Sequence, residues 1–229
     1  MPARTIAIGD IHGCADALTA ILEAIAPQTN DRVITLGDYV DRGPDSRKTL
    51  DILMELRGRC WLIPLMGNHD KMLLGLLLGK EYMFSNWMAL GGAATLRSFE
   101  CIAPQYIPER YISFLRSCVP AYETAGHLFL HANYLPNTPI EEQPQYVLRW
   151  ESLKVRCPAP HYSGKPVILG HTAQRNGKVL DLGHLKCIDT YCYGGGWLTA
   201  LDVDSGECWQ ANQQGELRKL AFRARAGRS

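Results

Sequence analysis

The stretch Thr5-Ile6-Ala7-Ile8-Gly9-Asp10-Ile11-His12-Gly13 decides how the rest of the chain is read. Thr5–Ile8 is a short apolar run that stops at Gly9-Asp10, the pattern of a strand that ends in a polar loop. Beyond the loop, Leu18, Ile21, Leu22 and Ile25 return at helical intervals, and Pro27 lies just past the end of that pattern. Two further copies of the unit follow. Val33–Leu36 reads as a strand ending in Gly37-Asp38, with a helix over Ser46–Leu56 behind it. Trp61–Leu65 reads as a third strand, ending in Gly67-Asn68-His69-Asp70 ahead of a leucine-rich helix that starts near Met72. Successive strand, loop and helix units predict an α/β fold, a sheet with parallel neighbours and crossover helices. Such sheets bind ligands beyond the carboxyl ends of their strands, where all three polar motifs sit.

Further along, Ser85 to Pro120 is mostly helical by pattern, with an interruption at Gly91-Gly92, and is expected to form a flank or cap. From His127 the reading turns to strands. His127–His131 and Val167–Leu169 run into histidine-bearing loops, and Leu185–Asp189, Trp197–Asp202 and Cys208–Gln213 follow. The basic segment Arg218–Arg228 reads as a solvated, frayed tail. With no solenoid repeat, heptads or low-complexity linker, a single domain over residues 1–229 is the simplest account.

The chain carries 24 basic and 23 acidic side chains, a formal net charge of +1, so nothing in the global balance favours nucleic acid or an anionic membrane. Neither is expected as a partner, and the oligomeric state is unknown from sequence. A chemical motif within ten residues of Met1 leaves no room for a signal peptide, and no apolar stretch is long enough to span a bilayer. The eight cysteines are scattered without a C-x-x-C pair. Reduced, mostly buried thiols and a cytoplasmic location are therefore expected.

The motifs Gly9–Gly13, Gly37–Gly43 and Gly67–Asp70, together with His131 and Gly170-His171-Thr172, supply carboxylates, imidazoles and an amide oxygen. That nitrogen and oxygen donor set, free of thiolate, suits Mn, Fe or Zn. One such histidine at the end of an apolar run would be weak evidence. The same coincidence at every candidate strand end in the first half, and at two later ones, has no structural explanation.

In motif order from Asp10 to His171, this set resembles the calcineurin-like metallophosphoesterases. Gly37-Asp38-Tyr39-Val40-Asp41-Arg42-Gly43 is similar to their phosphoprotein phosphatase branch, and Gly194–Ala200 resembles the closing strands of small bacterial members. The resemblance implies two packed mixed β-sheets flanked by helices, with a dimetal centre at the sheet edges. It implies that Asp10, His12 and Asp38 hold one metal, and that Asp38 also reaches a second with Asn68, His131 and His171. The expected cofactors are two divalent transition metal ions, Mn foremost, with Fe or Zn as alternatives. A bridging carboxylate offsets the repulsion of cations about 3.5–4 Å apart, and water between them becomes a nucleophile near neutral pH. In the family the residue corresponding to His69 protonates the leaving group, and Asp41 is similar to the acidic partner that orients it. Arg42 would clamp phosphate oxygens, with Arg149, ahead of Arg156, as a second phosphate-binding residue. His127, His161 and His184 match no motif position and are expected to be structural or surface residues. Asp70 stands where many protein phosphatases of this branch carry Glu. Cys14 is not followed by an Arg six positions later, so the thiol-phosphatase loop is absent.

The activity this resemblance implies is hydrolysis of phosphoserine and phosphothreonine, with phosphotyrosine as an extension, by direct attack of a metal-bridging hydroxide. The implied partner is a phosphorylated protein or peptide. Its residue-level support is Asp41 beside Arg42, because nucleotide pyrophosphohydrolases that look similar at Gly9–Cys14 often carry Ala at that position. The alternative is a diadenosine tetraphosphatase or related nucleotide pyrophosphohydrolase. A metal-free binding scaffold is opposed by the retention of all six ligand positions and His69.

Overall fold

The computed structural model describes residues 3–221. Strands β1 (Thr5–Ile8), β2 (Arg32–Thr35) and β3 (Trp61–Pro64) lie parallel and adjacent, connected through α1 (Ala15–Ile25) and α2 (Ser46–Leu56). Helix α3 (Asn68–Leu77) leaves directly from the β3 loop. Local chemistry sets these boundaries: the Asp45 carboxylate caps α2 by accepting from the Lys48 N–H, and α1 ends at a left-handed Ala26 just before Pro27.

The middle of the chain is helical: α4 (Phe84–Trp87), a π turn over Met88–Gly92, α5 (Ala93–Ser98) and α6 (Glu109–Arg116). Gly91, at φ 118°, breaks the helix where the glycine pair interrupts the sequence pattern. The second half supplies β4 (Ala121–Glu123), β5 (Leu128–Leu130), α7 (Gln145–Trp150), β6 (Val167–Leu169), β7 (Leu180–Asp181) and β8 (Leu185–Cys187). It closes with β9 (Asp189–Thr190), β10 (Trp197–Asp202), β11 (Glu207–Ala211) and β12 (Leu217–Ala221).

Two mixed sheets result, ordered β12-β11-β10-β1-β2-β3, with β9 on β10, and β4-β5-β6-β8-β7. Their side-chain alternation makes a layered sandwich. Ala7, Ile34 and Ile63 of the first sheet meet Phe129 and Ile168 of the second in one buried cluster. Ile6, Ile8 and Val33, one residue out of phase, pack with α1 and α2. Leu128, Leu130, Val167 and Leu169 cover the far side of the second sheet with Leu148 of α7. Because both faces are covered, these strands are continuously apolar, as parallel strands in such sandwiches are.

The basic tail reading needs correction. Leu217–Ala221 is an edge strand paired antiparallel to β11, with the Arg218 guanidinium 3.9 Å over the Trp197 ring and donating to Gln210 Oε1. Basic side chains are compatible with an edge strand and discourage further pairing there. Residues 222–228 of that segment lie outside the described residues. No described helix is long and apolar enough to cross a membrane.

Candidate active site

The carboxyl ends of the parallel strands point to one place. β1 delivers Asp10 and His12, β2 delivers Asp38, Asp41 and Arg42, and β3 delivers Asn68 and His69. In the second sheet β5 runs into His131, β6 into His171 and β8 into Asp189. The backbone is bent to make this convergence. Among the eight described non-glycine residues with positive φ are His12 (45°), Asp38 (52°), Asp41 (71°), Arg42 (70°) and His171 (60°). Such conformations cost about 1–3 kcal/mol each and collect at functional sites. Close packing enforces the rest: Gly170 sits against the Asp10 carboxylate, where a Cβ would collide with Oδ1.

Each of three imidazoles commits its single ring proton to a backbone carbonyl. His12 Nδ1 donates to Val40 O at 2.9 Å, His131 Nδ1 to Leu36 O at 2.7 Å, and His171 Nε2 to Trp150 O at 3.2 Å. Burial keeps all three neutral, lowering His12 well below the ordinary histidine range and His171 to about 4. Their remaining nitrogens therefore present lone pairs inward. Asn68 Oδ1 lies 3.0 Å from both His131 Nε2 and His171 Nδ1, so acceptors face acceptors with no proton between them. Asp38 stands between two such groups. Its Oδ1 is 3.6 Å from His131 Nε2 and its Oδ2 is 3.4 Å from His12 Nε2.

Converging lone pairs and buried carboxylates are what a cation stabilises. Ligand atoms of His12, Asp38 and His69 lie within 4.8 Å of one another, as do those of Asp38, His131 and His171, and Asp38 is common to both groups. Asp10 is buried beside them, its carboxylate accepting the His171 N–H at 3.0 Å. Burial, then Asp189 and Asp38, pushes the Asp10 carboxyl well above its usual range. The donors present fit divalent metal ions.

His69 is held differently. Its Nδ1 is 2.7 Å from Asp41 Oδ2, and its ring meets His12 edge to face at 4.8 Å between centroids. Arg42 lies across the mouth, its guanidinium 4.5 Å over the Tyr193 ring and its Nη1 donating to His12 Nε2 at 3.0 Å. Arg149 and Arg156 separate clearly. Arg156 is ion-paired with Glu151 and donates to Tyr134 O, a structural arrangement. Arg149 is buried on α7, donates to Gln145, leaves Nε without a partner and has no carboxylate at ion-pair distance among the described residues. His161, between Ser163 Oγ and Thr138 O, and His184, on Pro158 O, are tied into the second half of the fold. His127 packs near Phe129.

Sequence reasoning passed over Asp189, which is 2% exposed at the start of β9, two residues past β8, and pushed up to about 6 by burial. The signal was available: it ends an apolar run, as Asp10 and Asp38 do. It also passed over Trp87 and Thr95, whose side chains reach Asp41 from the helical flank.

The sequence pattern of the calcineurin-like phosphoesterase family matches residues 3–194. A symmetrical bis(5'-nucleosyl)-tetraphosphatase of Cellvibrio japonicus (strain Ueda107) is 42% identical over 76 residues, covering 33% of this chain and 27% of its own length. The enzyme of the same name from Coxiella burnetii (strain Dugway 5J108-111) is 32% identical over 164 residues, 70% of this chain and 51% of its own. The chain thus spans between about a quarter and a half of these two relatives. A crystal structure provisionally described as a diadenosine tetraphosphatase superposes with a TM-score of 0.67 at 21% identity, covering 97% of this chain and 95% of that one, a likeness of fold.

These relatives overturn the expected protein phosphatase activity and with it the phosphorylated protein or peptide as partner. The physical reason lies in Asp41. It is fully buried and turned towards His69, Trp87 and Thr95, so it reports nothing about the molecule at the mouth of the site.

Proposed function

We infer the function from one premise: this chain belongs to the calcineurin-like phosphoesterase family. On that premise the chain is a metal-dependent phosphohydrolase acting on dinucleoside tetraphosphates. The observation that carries the chemistry is Asp38, shared between two groups of inward-facing lone pairs. The observation that carries the substrate is the name borne by the relatives in Cellvibrio japonicus and Coxiella burnetii. Water adds across the central phosphoanhydride, and two nucleoside diphosphates leave.

Asp10, His12 and Asp38 would hold one divalent cation, and Asp38, Asn68, His131 and His171 the other. Bound there, such ions supply an activated water and charge to stabilise the phosphate oxygens. The chain's own residues do the rest. Arg42, placed over the Tyr193 ring, and Arg149, a buried cation with no carboxylate at ion-pair distance among the described residues, bind the anionic phosphates. His69 delivers a proton to the departing oxygen, and Asp41 orients its ring through Nδ1. The helical flank Phe84–Ser98 walls one side by accepting from Arg42 N at Gly91 O and from Arg42 Nε at Leu90 O.

The test is product analysis with added Mn²⁺, offering diadenosine tetraphosphate, a phosphothreonine peptide and a phosphotyrosine peptide in parallel. ADP as the sole nucleotide product, formed faster than phosphate from either peptide, is expected. Preference for a peptide, or release of ATP with AMP, would defeat the reading.

A further inference from the structure

Asp41 is the carboxylate on which the orientation of His69 depends, and its three side-chain hydrogen bonds among the described residues all come from outside its own motif. Its Oδ2 accepts from His69 Nδ1 at 2.7 Å and from Trp87 Nε1 at 2.9 Å. Its Oδ1 accepts from Thr95 Oγ1 at 2.7 Å. The same Thr95 hydroxyl accepts the Asp41 backbone N–H at 2.9 Å, closing a ring across main chain and side chain of one residue. With its proton committed to Asp41, Thr95 Oγ1 is the acceptor in its 3.2 Å contact with Ser46 Oγ. Asp41, Trp87 and Thr95 are fully buried and His69 is 1% exposed, so water does not substitute for any of these partners.

The helical flank is deformed in a way that serves this contact. Trp87 ends α4 and Thr95 lies in α5, eight positions apart. In a regular α-helix such residues point about 80° apart around the axis. Here the π turn over Met88–Gly92 intervenes, with Gly91 at φ 118°, and both side chains reach the two oxygens of one carboxylate. Gly92 lies beneath the Trp87 indole, where a Cβ would collide with the ring.

We propose that Trp87 and Thr95 are positioning residues for the leaving-group step: by pinning one Asp41 oxygen each, they fix the carboxylate plane and so aim His69 at the departing oxygen. This rests on the reading of His69 as the acid. A carboxylate held at a single point turns about its Cβ–Cγ bond and carries the imidazole with it. Residues that orient a functional group in this way are typically worth about 10–100-fold in activity.

The experiment measures kcat and KM with Mn²⁺ on aryl phosphates of graded leaving ability, from p-nitrophenyl to phenyl phosphate. His69→Asn is expected to steepen the dependence on the leaving group. Trp87→Phe should steepen it in the same sense, lowering kcat about tenfold on phenyl phosphate, with KM and p-nitrophenyl phosphate turnover nearly unchanged. Thr95→Val should behave alike, and Thr95→Ser, which keeps the hydroxyl, should restore activity. If Trp87→Phe does not fold, the Thr95 pair carries the test. Combined with His69→Asn, neither variant should cost anything more. Equal losses on both esters, or a further loss in the His69→Asn background, would overturn the proposal while leaving the acid in place. An unchanged leaving-group dependence in His69→Asn alone would remove the acid reading and this proposal together.

Discussion

Arg149 is a buried guanidinium with no carboxylate at ion-pair distance among the described residues, and its Nε has no hydrogen-bond partner. Desolvation lowers its pKa, and the one partner found for it, Gln145 Oε1, is neutral. A fold keeps such a cation at a cost unless an anion visits it. Arg149→Met should therefore leave the melting temperature unchanged or higher while kcat/KM on diadenosine tetraphosphate falls about 10–100-fold, the worth of one or two hydrogen bonds to a charged group. A large loss of melting temperature with activity retained would make Arg149 structural. At this scale the sequence is most legible where residue type and position coincide. Asp10, Asp38, His131 and His171 stand out as polar residues at or just past the ends of apolar runs, whereas the ligand set that adds His12 and Asn68 and sets His69 apart is what the family resemblance implies. Asp189 satisfies the same rule but lies within the run Leu185–Asp189, where it looks like the end of a strand and nothing more. Asp41 beside Arg42 is what favours the protein phosphatase reading in the sequence, yet the buried Asp41 carboxylate serves His69, Trp87 and Thr95 and so does not discriminate between substrate classes.

Elements reach the site through backbone that no propensity would choose, and one carboxylate stabilises much of that bend. Asp70 Oδ2 accepts from Asp38 N at 2.8 Å and Gly67 N at 3.1 Å, and Oδ1 accepts from Tyr39 N at 3.0 Å. It thereby ties the β2 loop, including left-handed Asp38, to the start of α3. Asn at this position presents only one accepting oxygen, so at least one buried N–H loses its partner, costing about 1–3 kcal/mol. Asp70→Asn is expected to lower the urea midpoint accordingly and to weaken Mn²⁺ binding, since Asp38 is no longer held. Unaltered midpoint and metal content would show that the loop supports itself. Short apolar runs bounded by polar loops made β1, β6 and β10 readable to the residue, as the capped amphipathic pattern did α2. The contacts of the flank were not readable, because a buried Trp and Thr in a helical pattern look like ordinary core until the π turn brings them to Asp41.

For the whole molecule, the site is an electrostatic load that metal ions relieve, and the load depends on pH. His171 is lowered from an ordinary 6.5 to about 4 by burial and then by His131, and His12 and His131 are lowered too. Between about 4 and 6.5 the unfolded chain binds protons that the folded, metal-free chain refuses. Stability therefore rises with pH through that window and is lost on acidification. Asp189, raised from 3.8 to about 6 by burial, acts in the opposite sense. Across its window the folded chain keeps a proton that the unfolded chain has released, so stability falls as pH rises. Asp10, raised by burial and by Asp189, adds to this. Above about 6.5 the histidine contribution is complete and the full cost of ionising the buried acids remains, about 3 kcal/mol for Asp189 alone. Cations bound at the carboxylates remove that cost without having to displace protons first. Chelation should thus lower the melting temperature more at about pH 7.5 than at about pH 5, by several degrees at roughly 2–4 °C per kcal/mol for a chain of this size. Calorimetry with and without Mn²⁺ at the two pH values measures it directly. An equal or smaller drop at the higher pH would mean that the buried acids do not face the bound ions. The metal ligands would then have to be sought among Asp38, the histidines and Asn68, without Asp10.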